Sequence, residues 1–316
     1  MTDNRTGTDN GTEGGPESGR PSKMKAWIEA MRLRTLPVSV AGVIAGTGCA
    51  AYYGGFRALP ALICLLFAII AQIASNFANE YYDFANGLDR KGREGFRRGV
   101  TEGDITPGAM KRATYGLLAL DALIGCTLIF WGGWWLIAVG VAIAVFAVAY
   151  SAGPWPLSHH GLGDVAVVLF FGIVPVTLTA WLQTGSWEIL PLALPLSVGT
   201  GLLAANVLIV NNYRDADDDR AVGKHTTVVL LGRRVMLSVY MTAGVVGTFL
   251  PFPVLMADES LSPLFILLPV WGACGYLWLG YRISHDRGVL LNGELKRTSM
   301  LMLLYCTLET VMLAFA

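Results

Sequence analysis

The chain has 316 residues, 54% of them apolar and only 15% charged, with a mean hydropathy of +0.53. Charged residues make up about a quarter of an ordinary water-soluble domain, so this composition excludes that class and makes a lipid bilayer the natural solvent. Lys and Arg total 23, matched by 23 Asp and Glu; no nucleic-acid partner is expected.

Residues 1–22 are rich in Gly, Thr, Asp, Glu, Ser and Arg and contain no apolar run, which predicts a disordered tail rather than a signal peptide. The remainder, 23–316, reads as one membrane domain. Lys25–Arg34 interleaves Trp27, Ala30 and Met31 with Lys25, Arg32 and Arg34, as a helix lying in the interface or a basic anchor does. Nine apolar stretches follow, near 36–53, 58–80, 114–133, 134–152, 165–183, 189–212, 235–256, 261–281 and 298–316. Each is about the 20 residues needed to cross roughly 30 Å of hydrocarbon, so an all-α membrane protein of about nine transmembrane helices is predicted. Gly42-x-x-x-Gly46 in the first stretch signals close helix packing within the bundle. Cys49, Cys64, Cys126, Cys274 and Cys306 are scattered singly through apolar sequence, which argues against a disulfide framework or a zinc site.

With nine spans and the N-terminus inside, every Lys and Arg except Arg57 falls on the cytoplasmic side, so the positive-inside rule is satisfied. The long loops, about 84–113, 153–164, 213–234 and 282–297, then lie on that face of the inner membrane. Chemistry is expected there.

Two acidic clusters stand at helix ends four spans apart, which puts them on one face. The first places Asn76, Asn79, Glu80 and Asp83 at three- and four-residue steps, on one side of a helix; Asp89 follows a break at Gly87. The second has Asp215 and Asp219 at i, i+4, with Asn211 and Asn212 one turn earlier. Converging carboxylates repel, and dehydrating them costs several kcal/mol as an order of magnitude, so a cation must offset them. Hard oxygen donors suit magnesium (Mg2+), which binds through a few carboxylates plus substrate phosphate oxygens. Arg90, Lys91, Arg93, Arg97 and Arg98 follow the first cluster, and Arg220 and Lys224 the second. Arg forks and Lys point charges match phosphate oxygens, so acid and base together predict a metal-diphosphate pocket. A cation-coupled transporter is the competing class, but transport sites favour the midplane and interrupted helices.

Asn79-Glu80-x-x-Asp83 with Asp89, paired with Asp215-x-x-x-Asp219-Arg220-x-x-Gly223-Lys224, resembles the two signatures of the UbiA prenyltransferase superfamily, with Glu80 where Asp is usual. The six-residue step from Asp83 to Asp89 is similar to that of the 1,4-dihydroxy-2-naphthoate polyprenyltransferases of menaquinone synthesis. So are the stretches 27–37, 97–107, 150–157 and 181–185. Trp155, where Lys is more usual, and His225-Thr226-Thr227 depart from the pattern.

The resemblance implies a UbiA-type bundle with a cytoplasmic-side pocket. It implies transfer of a polyprenyl group from its diphosphate to an aromatic acceptor, with decarboxylation in the naphthoate branch to give demethylmenaquinone. Other acceptors, such as 4-hydroxybenzoate or homogentisate, are the nearer alternative. Asn79, Glu80, Asp83, Asp89, Asp215 and Asp219 become candidate metal ligands, with Asp83, Asp215, Asp219 and Tyr150 catalytic. Lys91, Arg97, Arg98, Arg220 and Lys224 become diphosphate ligands, supported by Asn76, Asn211, Asn212 and Arg34. Tyr150, Tyr81 and Tyr82 are candidates to shelter an allylic cation, and His159 and His160, in the loop between the fourth and fifth spans, are candidate acid–base groups.

Overall fold

The computed structural model describes residues 21–92, 95–258 and 261–316; most of the expected tail, and Arg93, lie outside them. The described residues form helices joined by turns and loops, with no strand. Ten helices carry the architecture: α1 (Lys23–Ala30), α2 (Leu36–Tyr52), α3 (Ala58–Ala85), α4 (Pro107–Thr127) and α5 (Leu136–Ala149). They continue with α6 (Gly163–Thr184), α7 (Leu190–Ala221), α8 (Arg233–Phe249), α9 (Leu267–His285) and α10 (Leu291–Ala314).

Local chemistry sets the boundaries. Thr106 caps α4, its hydroxyl accepting from Ala109 N at 3.3 Å with Pro107 in the first turn, where proline's missing N–H costs nothing. Beyond α3 and α7, Gly87 and Gly223 adopt φ of +69° and +75°, a region glycine enters without a steric penalty. Both acid-bearing helices thus end in sharp turns, which return Asp89 and Lys224 towards the helix ends they follow.

Six helical segments are long and apolar enough to cross a membrane: 58–85, 107–132, 163–184, 187–221, 233–255 and 263–285. The expected count of nine is not confirmed. At 1.5 Å per residue, the 17 residues of α2 and 14 of α5 reach only about 25 and 21 Å. Arg297, Glu309 and several Ser and Thr dilute the apolar content of α10.

Helix α7 is the axis of the bundle. Its apolar window is 72% buried, against 22% for α3 and 17% for the α4 segment, so α3 and α4 form a lipid-facing wall. Helix α7 packs on α2, α6, α8 and α10, while α3 pairs with α4. Small residues permit the closest crossings. A Cβ on Gly42 would lie 2.7 Å from Phe171 O, and one on Gly46 2.5 Å from Val176 O, so Gly42-x-x-x-Gly46 joins α2 to α6 inside the bundle. At Gly172 an added Cβ would sit 2.4 Å from both Gly201 Cα and Ser197 O. Gly172→Ala therefore loses about 1–3 kcal/mol by overpacking, read as a lower thermal midpoint in detergent. Gly116→Ala, with nothing within 4 Å of its Cβ, lowers nothing.

Candidate active site

The ends of α3 and α7 meet. Asp83, one turn above Asn79 on α3, accepts a hydrogen bond from Lys224 Nζ at 2.8 Å across 141 residues of sequence. Arg98 Nη2 lies 3.8 Å from the same carboxylate, and His159 Nε2 3.7 Å from its other oxygen. Asn79 Oδ1 accepts from Arg32 Nη2 at 2.7 Å and Arg98 Nη2 at 3.2 Å, while its amide donates to Ser151 Oγ at 2.9 Å. On α7, Arg214 forks onto Asp215 at 2.7 and 2.8 Å, and reaches Asn211 at 2.9 Å and Asn292 at 2.6 Å.

These groups surround a polar cavity of about 180 Å³. Asn76, Asn79 and Asp83 line it from α3, and Asn211, Asn212, Asp215 and Asp219 from α7, with Arg32, Arg98 and Lys224 between. A second cavity, about 300 Å³ and almost wholly apolar, lies among α3, α4, α5 and α6. Gln72, Ser75, Tyr150, Val167 and Phe171 line both, so a charged chamber and a greasy chamber share a wall. The π-helical turn Val168–Ile173 carries Phe171 to that junction. Such turns often mark functional sites.

The remaining sequence candidates stand elsewhere. Glu80 is buried at the loop, accepting Val100 N–H at 3.0 Å. Asp89 folds back to 3.5 Å from Arg98 Nε and lines a small crevice with Asp219 and Lys224. Arg97 bonds Asp104 through Nε and Nη2 at 2.9 and 2.7 Å, which raises the basicity of its guanidinium. Arg220 is exposed beside Asp217, Lys91 is exposed, and Arg34 lies 4.4 Å over the Phe96 ring. Asn76 Nδ2 ties α3 to Met31 O at 3.0 Å. Tyr81 and Tyr82 pack on each other, and Tyr82 bonds Tyr115 at 2.7 Å; Tyr150 is the tyrosine at the junction. His160 bonds Pro156 O at 2.8 Å and stacks on Trp155. Arg32, which lines the pocket, and Arg214, which holds the lining residue Asp215, are basic groups that sequence spacing did not single out.

Among the described residues no three His, Cys, Asp or Glu side chains gather closely enough to hold an ion by protein ligands alone. That fits magnesium, which takes one or two carboxylates and completes its shell with phosphate oxygens and water. Asp83 Oδ1, buried and without a hydrogen bond among the described residues, is a ready donor.

Facing carboxylates, interleaved cations and an adjoining apolar chamber within a multi-helix membrane bundle define an integral-membrane enzyme acting on an amphiphilic anion. The chain belongs to the UbiA prenyltransferase family, whose model matches residues 39–289; it is a prenyltransferase. It is 36% identical over 260 residues to the 1,4-dihydroxy-2-naphthoate octaprenyltransferase of Escherichia coli, covering 79% of this chain and 80% of that one. It is also 36% identical over 231 residues to the enzyme of the same name from Mycobacterium tuberculosis, covering 73% and 78%. A UbiA homolog from Archaeoglobus fulgidus bound to GPP and Mg2+ shares the fold, with a TM-score of 0.65 at 16% identity over 90% of this chain and 99% of that chain.

Proposed function

We propose that the chain transfers a polyprenyl group from its diphosphate to 1,4-dihydroxy-2-naphthoate, with magnesium and with loss of the acceptor's carboxylate, to give demethylmenaquinol, the two-electron-reduced form of demethylmenaquinone. The observation that carries this reading is that the charged and apolar chambers adjoin at Gln72, Ser75, Tyr150, Val167 and Phe171, which suits a diphosphate headgroup joined to an isoprenoid tail. Similarity to the naphthoate enzymes supports the acceptor. The distribution of Lys and Arg supports a site at the inner leaflet of the cytoplasmic membrane.

Asn79, Asp83, Asp215 and Asp219 would hold magnesium together with the diphosphate. When bound, the ion neutralises the diphosphate and makes it a better leaving group. Arg98 and Lys224 hold pyrophosphoryl oxygens in a pocket where little water competes. The C1–O bond breaks with its electrons leaving on the diphosphate, and the face of Tyr150 at the junction stabilises the allylic cation. The acceptor ring carbon that bears the carboxylate forms the new bond to C1. Departure of carbon dioxide returns an electron pair to the ring, so no strong general base is required.

The test is purified protein in detergent with labelled geranylgeranyl diphosphate and a panel of naphthoate, 4-hydroxybenzoate and homogentisate. Naphthoate alone should be prenylated, with one carbon dioxide and one diphosphate released per turnover; chelation should abolish the reaction and added Mg2+ restore it. Transfer to another acceptor in its place overturns the naphthoate assignment, and full activity after chelation overturns the metal.

A further inference from the structure

Arg32 is the single described residue other than glycine with positive φ, at 53°, a conformation that costs a non-glycine residue of order 1–3 kcal/mol and persists where the surroundings enforce it. The turn it makes does two things. Its guanidinium reaches Asn79 at the polar pocket, and its carbonyl receives both Thr35 N–H at 2.9 Å and the Thr35 hydroxyl at 3.0 Å. A carbonyl oxygen can only accept, so the Thr35 O–H must donate to it. Thr35 Oγ1 is then an acceptor towards Gln72 on α3, whose Nε2 stands 3.4 Å away. With the hydroxyl engaged by Arg32 O, the amide turns Nε2 towards Thr35 and Oε1 away from it.

Gln72 Oε1 is consequently held as an acceptor facing away from Thr35. The residue is 8% exposed, Oε1 has no hydrogen-bond partner among the described residues, and Gln72 lines both cavities where they join. A buried amide oxygen left bare costs about 1–3 kcal/mol, which a bound molecule with an O–H or N–H group relieves. Of the two substrates, the prenyl chain has no such group, and its diphosphate, assigned above to Arg98 and Lys224, offers oxygens that accept. A hydroxylated aromatic acceptor does carry one. The acceptor must also lie near C1, between the headgroup and the tail, which is the position of Gln72, Tyr150 and Phe171.

We propose that Gln72 Oε1 accepts a hydrogen bond from a ring hydroxyl of the aromatic acceptor, and that the Arg32–Thr35–Gln72 relay orients it, making Gln72 a specificity-determining residue for hydroxyarene acceptors. This rests on the prenyl transfer to a dihydroxynaphthoate proposed above.

The experiment compares 1,4-dihydroxy-2-naphthoate with its two deoxy analogues, 1-hydroxy-2-naphthoate and 4-hydroxy-2-naphthoate, as ligands of wild-type protein and Gln72→Met in detergent. The acceptor KM and the inhibition constants of the analogues are read, with the KM for geranylgeranyl diphosphate as the control for an intact fold. In wild type, deleting one of the two hydroxyls should weaken binding about tenfold. In Gln72→Met the diol should bind about tenfold more weakly, that deletion should cost nothing further, and the donor KM should stay unchanged. Such non-additivity identifies a direct partner. Thr35→Val serves if Gln72→Met fails to fold, since it frees the amide to turn and should shrink the same discrimination. Equal deletion penalties in variant and wild type overturn the inference, as does a parallel rise in the donor KM. If wild-type protein does not prenylate the diol at all, the proposed function fails instead, and the two failures are thereby separate.

Discussion

Asp83→Asn should lower kcat about 10³-fold while leaving expression and membrane insertion close to wild type. Asp83 is where both halves of the site converge, with Lys224 from beyond α7 and Arg98 from the loop after α3 on one oxygen and His159 near the other. Asparagine keeps the shape and an acceptor oxygen but removes the negative charge. Taking away one group that stabilises charge in a transition state costs about 10²–10³ in kcat; a group proposed to hold the metal as well, and placed beside two cations, belongs at the top of that range. The measurement is single-turnover release of diphosphate at saturating Mg2+, which isolates chemistry from product departure. A kcat within tenfold of wild type would remove Asp83 from the reaction and with it the metal-diphosphate reading. Asp215 is a poorer first choice for alanine, because it would strand Arg214 without its carboxylate; Asp215→Asn is the cleaner companion.

What was legible in the sequence followed from helical periodicity and span parity. An i, i+4 pair such as Asp215 and Asp219 shares a face on any helix, and the four alternating helices α4 to α7 return the second cluster to the side of the first; that the two ends touch, through Lys224 and Asp83, shows only in the structure. Function was carried by the same residues. Less visible was which cation serves which carboxylate. Arg97 and Arg98 are neighbours, yet the four-residue helix Gly99–Glu102 that starts after them sends Arg98 to Asp83 and Arg97 to Asp104. Glu80 shares the face of Asn76 and Asp83 in projection, but the loop packs over it and its oxygen satisfies Val100 N–H. Arg32 depends on a left-handed backbone that no side-chain pattern announces. Gln72 offered a usable signal, a lone amide within an apolar span, since a polar group there is costly unless it has a partner. The count of nine spans is not confirmed because hydropathy windows register apolar length, whereas α2 and α5 are helices of only 17 and 14 residues.

Arg214→Leu should destabilise the folded protein by about 3–5 kcal/mol, the cost of leaving a buried charge without its partner. Asp215 follows Arg214 directly, and adjacent residues on a helix do not face one another; the pair forms because the arginine side chain is long enough to curl back. Both residues are 3% exposed. The guanidinium gives two bonds to Asp215, one to Asn211 and one to Asn292 at the start of α10, and lies 4.8 Å over the Phe96 ring. It therefore joins the second acidic motif to the last helix and to the loop that carries Arg98. Leucine matches its stem but leaves Asp215 buried without those two charge-assisted bonds. Arg220→Leu, six residues along, disturbs only an exposed pair with Asp217, and such pairs contribute about 1 kcal/mol or less. Thermal unfolding of both variants in the same detergent decides the matter, with a large fall in midpoint for Arg214→Leu and almost none for Arg220→Leu. The double variant Arg214→Leu with Asp215→Asn separates the two contributions of the arginine. If uncompensated charge is the main cost, the second substitution recovers much of the lost stability without restoring turnover. If it recovers nothing, the loss comes from the ties to Asn292 and Phe96, and Arg214 is chiefly a brace between α7, α10 and the loop.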